Sequence, residues 1–79
     1  MGLFSNFWAS QVAVNVLQYQ QIDIDSLPQE YQSTLKKIAI SLKGKGMNKE
    51  QATSTINQLA DKHGNLIQAL EFYSKSFDI

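Results

Sequence analysis

The sequence contains no cysteine and no arginine. The first absence excludes a disulfide framework and a thiolate metal site. The second leaves seven lysines to balance seven carboxylates, for a formal net charge of zero. No run of about 20 apolar residues occurs, so a membrane-spanning helix is not expected. Ser5, Asn6, Ser10, Gln11, Asn15, Gln18, Gln20 and Gln21 interrupt the most apolar stretch. That stretch has no lysine ahead of it and no small-residue cleavage pattern, so a signal peptide is not expected. The Met1-Gly2 start lacks the Ser or Thr that myristoylation asks for at position 6, where Asn6 stands.

A chain of 79 residues makes one small domain. It buries only roughly 60–65% of its unfolded surface, so its core is marginal. Its 43% hydrophobic content is too high for a disordered chain. Charged residues make up 18%, below the usual value of about 25%. The deficit is local. Residues 1–22 carry no charged side chain, and all fourteen charges fall from Asp23 onward. Two parts are therefore expected: an uncharged, aromatic and Gln-rich arm over 1–24, and an ordinary domain over 25–79.

Within the arm, Leu3, Phe4, Phe7 and Trp8 recur at helical spacing, whereas Val12, Val14 and Val16 alternate as in a strand. No Gly or Pro interrupts residues 3–21 and no hairpin partner follows, which favours a helix there. Such a helix would be apolar nearly all round. Ser26 with Gln29 reads as a capping box, with Pro28 in the first turn of a helix over about 27–43. Leu27, Tyr31, Leu35, Ile38 and Leu42 give that helix one apolar face, and Gly44 and Gly46 stop it. Asn48 with Gln51 caps a helix over about 49–62, with Ala52, Ile56, Leu59 and Ala60 on its inner side. His63-Gly64 ends that helix. Asn65 caps a last helix over about 66–76, lined by Leu66, Ile67, Ala69, Leu70, Tyr73 and Phe77. The fold class expected is all-α, a small three-helix bundle preceded by an uncharged apolar N-terminal helix or arm.

Catalytic chemistry finds no footing. The single histidine, His63, sits in a last helical turn, where it suits the helix dipole, and no acid or nucleophile pairs with it at a suggestive spacing. Asp23 and Asp25 lack the further ligands of a calcium loop and instead suit a helix start. Lys43-Gly44-Lys45-Gly46 lacks the upstream Gly and following Ser or Thr of a phosphate loop. No enzyme activity, cofactor or metal is expected.

Residues 36–49 hold Lys36, Lys37, Lys43, Lys45 and Lys49 without an acid, which could contact phosphates. Ala60, Gly64 and Leu70 give residues 56–73 a helix-turn-helix character. The second helix of that pair offers only Glu71 and Lys75, and the net charge is zero, so nucleic acid ranks below protein as a partner.

Gly46-Met47, Glu50-Gln51-Ala52 and Asn65-Leu66-Ile67-Gln68-Ala69 are similar to three elements of the ubiquitin-associated (UBA) family. Those elements are a Met-Gly-Phe loop, an acidic-Ala step and an Asn-x-x-x-Ala turn. Residues 34–77 resemble that family's three-helix domain. Lys45 stands where the family has Met, and Met47 where it has Phe. The resemblance implies a compact bundle that binds proteins through Gly46, Met47, Leu70 and Tyr73.

The arm holds the main functional expectation. Phe4, Phe7, Trp8, Val12, Val16 and Tyr19 are expected at an oligomer or partner interface, where aromatics are enriched and charge is depleted. The competing expectation is that they pack on the domain's own core. Insertion into a membrane surface ranks last, because the arm has no Lys or Arg for its polar face. The chain is therefore expected to be a cytoplasmic, non-enzymatic, self-associating interaction protein. Its concrete form would be a phage or mobile-element antagonist that sequesters a regulator, such as an antirepressor. A small helix-turn-helix DNA-binding protein and a UBA-like adaptor are the alternatives.

Overall fold

The computed structural model describes residues 3–77, with side chains from Asn6 to Lys75. It comprises α1 (Leu3–Gln20), α2 (Gln29–Gly44), α3 (Lys49–Lys62) and α4 (Leu66–Phe77), with a short 3-10 turn at Ile24–Ser26 between α1 and α2. The described residues form no strand. The all-α class and a helical bundle are what the periodicity dictates.

The valine alternation in α1 is resolved by burial. Val12 and Val16 are four residues apart and share the inner face, fully buried. Val14 points outward and is 41% exposed. Ala9, Ala13 and Leu17 complete the inner face. These residues join one core with Leu27, Leu35, Ile38, Ala39 and Leu42 before and along α2, Ala52, Ile56 and Ala60 of α3, and Leu66 and Leu70 of α4. The radius of gyration is 11.4 Å. A folded chain of this length has about 11.6 Å, which leaves no room for a projecting arm. The charge boundary near residue 24 is therefore not a packing boundary. Val12 and Val16 do not face a partner; they are core. Burying each stabilises the fold by roughly 1.5–3 kcal/mol, which a small domain needs.

The helix ends follow local chemistry. Asn48 Oδ1 accepts from the Gln51 backbone N–H at 2.8 Å, and Gln51 Oε1 accepts from the Asn48 N–H at 3.0 Å, a complete capping box. Asn65 Oδ1 accepts from the Gln68 N–H at 2.9 Å and caps α4. Gly46 and Gly64 have φ of +91° and +99°, the left-handed region that closes α2 and α3. α1 closes without a glycine. Gln21 takes φ +59°, its N–H donates to Gln18 O at 3.1 Å, and the Ile22 N–H donates to Leu17 O at 2.9 Å. That is a Schellman ending built on a residue that pays a steric cost there.

The expected Ser26–Gln29 capping box does not form. Ser26 lies inside the 3-10 turn and donates from Oγ to Asp23 O at 2.7 Å. α2 begins three residues later, with Pro28 as its N-cap and no side-chain cap. Gln32 stabilises this junction instead. Its Nε2 donates to Leu27 O at 2.8 Å and Ile24 O at 3.1 Å. Asp23 Oδ1 accepts from the Asp25 N–H at 3.2 Å and caps the turn, as expected of a carboxylate at a helical start.

Candidate protein-interaction face

α1 is uncharged on every side, so a single helix supplies both a core face and an exposed face free of charge. Its outer face carries Phe7, 63% exposed, and Val14, seven residues further on. Two turns separate them, about 10.5 Å along the axis. Asn6, Asn15 and Gln18 are also exposed.

A groove runs along each side of this ridge. The first, of about 480 Å³, is lined by Phe7, Ser10, Gln11, Val14 and Asn15 of α1 and by Lys49 at the start of α3. The second, of about 100 Å³, is lined by Ser10, Ala13, Val14 and Leu17 together with Ile24, Gln32, Leu35 and Lys36. At the N-terminal end, the Lys43 ammonium lies 5.7 Å from the centroid of the half-buried Trp8 ring. Lysines from two neighbouring helices thus border an uncharged ridge on which Phe7 and Val14 stand among Ser10, Gln11 and Asn15, and no carboxylate lines either groove. Gln11 Oε1 is buried at this face and finds no hydrogen-bond partner among the described residues.

The six residues expected at the interface therefore divide. Phe7 stands on the ridge. Trp8 packs partly on the core at its flank. Tyr19, 73% exposed, stands twelve residues beyond Phe7 and about 120° around the axis, on a different side. Val12 and Val16 are inside. Phe4 lies outside the described side chains. Sequence reasoning missed Val14, although its spacing of seven from Phe7 placed it on the same face. It also missed the lysine border. The acid-free run of lysines was its signal, and three of them, Lys36, Lys43 and Lys49, lie beside α1.

The second expected surface does not assemble. Leu70 is fully buried, because it is a core residue of α4. Met47 is half-buried beside a cavity of about 390 Å³ whose other lining residues are Glu50, Gln51, Ser54 and Thr55; neither Leu70 nor Tyr73 reaches it. Gly46 is exposed in the turn before Met47. Tyr73 joins an aromatic corner instead. Its ring stands edge-on to His63 at 5.4 Å and to Phe72 at 5.1 Å, and His63 lies against Phe72 at 4.8 Å. No protein-family model matches the chain, and no curated protein or solved structure matches it.

On α4, the outward residues include Ile67, which was expected inside, and Gln68, Glu71, Phe72 and Lys75. Glu71 and Lys75 pair at 4.0 Å, so this face offers phosphate no surplus positive charge. Among the described residues, no group of three or more His, Asp or Glu could hold a metal. No described helix is long and apolar enough to cross a membrane.

Proposed function

We propose that this chain is a non-enzymatic protein-interaction module that engages a larger protein through the outer face of α1. The observation that carries the reading is the division of labour within α1. Its inner face completes the core, while Phe7 and Val14 remain exposed on a helix with no charge to solvate them. Apolar side chains left exposed beside a groove suit the docking of a partner's helix. The UBA-like surface supports an adaptor role less well, because its last-helix anchor, Leu70, is buried. Sequestration of a regulator, as an antagonist or antirepressor does, suits a module with no chemistry of its own.

The test is affinity capture by the tagged chain and by its Phe7→Glu/Val14→Glu variant, with captured proteins identified by mass spectrometry. The variant is expected to keep its helical content and lose the captured partner. Retention of the same partner by the variant would move the interface elsewhere.

A further inference from the structure

Three lysines stand around the ridge of α1, and they come from elsewhere in the chain. Lys36 lines the groove on the α2 side, Lys49 lines the groove on the α3 side, and Lys43 lies over Trp8. The ridge between them carries no charge, and neither groove contains a carboxylate. An uncharged ridge with two apolar anchors, bordered on both sides by like charges, is the complement of an amphipathic helix with an apolar seam flanked by acids.

We propose that the outer face of α1 takes an acidic amphipathic helix of the partner protein. This deepens the reading given above and rests on it. Phe7 and Val14 stand two turns apart and present the spacing of one helical seam to another. The grooves on either side give the incoming side chains places to sit. Strand addition has no counterpart here, because the described residues form no sheet edge. A second copy of the chain fits poorly. The α1 of a second copy carries no acid to meet these lysines, so it lacks the charge complement that an acidic helix supplies. An anionic membrane surface fits less well than a helix. Surface-binding patches usually carry about four to eight basic residues, and this face has three. The grooves also have no role against a lipid surface.

Trp8 is the only tryptophan in the chain and lies beside this face, so its fluorescence reports occupancy. The experiment is selection from a displayed library of amphipathic helical peptides, with the Phe7→Glu variant as soluble competitor, followed by Trp8 fluorescence titration of the recovered peptides. The recovered helices are expected to be net acidic. Their affinity is expected to fall with added salt, and on the order of tenfold or more in a Lys36→Glu/Lys43→Glu/Lys49→Glu variant. Recovered helices that are neutral or basic, or that bind the triple variant equally well, would overturn the acidic assignment while leaving the interface on α1. A failure to recover any helix sensitive to Phe7→Glu would overturn both. The proposal is likewise overturned if wild type self-associates in a Phe7-dependent way, or if Trp8 responds to phosphatidylserine vesicles or an oligonucleotide and not to peptides.

Discussion

Gln20 of α1 donates from Nε2 to Asn57 Oδ1 of α3 at 2.8 Å. The two residues are 37 positions apart, and Asn57 is one of only a few buried polar residues in the described structure. Their hydrogen bond fastens the C-terminal end of α1 to the middle of the bundle, where a purely apolar contact would not fix the helix's rotation. Rotation decides which side of α1 faces inward, so this pair helps determine which residues remain outside. Replacing Gln20 by Ala leaves the Asn57 amide without its partner. Asn57→Ala and Gln20→Ala are each expected to destabilise by about 1–2 kcal/mol, with a coupling of about 1 kcal/mol in the double variant. Urea denaturation of the four species measures this.

Deletion of residues 1–22 removes more than an arm. The core shared with α2 and α3 would lose Ala9, Val12, Ala13, Val16 and Leu17. The truncated chain is expected to lose cooperative unfolding altogether. Circular dichroism on heating checks this: a sigmoidal transition for residues 23–79 alone would show an independent three-helix domain.

Gln21 holds a left-handed conformation at the end of α1. Glycine adopts that conformation without the steric penalty. Gln21→Gly is therefore expected to stabilise the fold by about 0.5–1 kcal/mol, despite the greater freedom it gives the unfolded chain. A higher denaturation midpoint with an unchanged denaturant slope is the expected readout.

Gln11 carries a buried amide oxygen without a hydrogen-bond partner among the described residues, at the floor of the larger groove. An unsatisfied buried acceptor costs roughly 1–3 kcal/mol. Gln11→Leu is expected to raise stability by about 1 kcal/mol, read as an increased melting temperature. A loss of stability on this substitution would mean that the amide has a partner in solution.

Much of this structure is legible in the sequence, and the reasons are local. Residues 48 and 51, 64 and 65 carry their own cap chemistry, so the start of α3, its end and the start of α4 fall where the residues place them. α2 and α4 each show an apolar stripe that is buried at Leu35, Ile38 and Leu42 and at Leu66, Ala69 and Leu70, although Ile67 lies outside it and the side chain of Phe77 falls outside the described residues. α1 is different. Its apolar residues surround the helix, so periodicity chooses no face, and only packing shows that Val12 and Val16 are inside while Phe7 and Val14 are outside. The absence of charge in residues 1–22 reads as an interface, but half of that signal is a core helix. Ser26 shows the opposite limit. Its box with Gln29 is correct in spacing and is displaced by the Asp23-capped turn. The acid-free run of lysines is visible in the sequence, but its place is not, because Lys36, Lys43 and Lys49 meet α1 only through the fold.

α1 builds the core with its inner face and leaves Phe7 and Val14 outside. Thermal unfolding of Phe7→Glu beside Val16→Glu tests this division most directly. A charge at Val16 would be buried without a partner, at a cost comparable to the whole stability of a small domain, roughly 3–5 kcal/mol. The expected result is a wild-type-like melting transition for Phe7→Glu and no folded baseline for Val16→Glu. A folded Val16→Glu, or a Phe7→Glu that fails to fold, would contradict the assignment of the two faces.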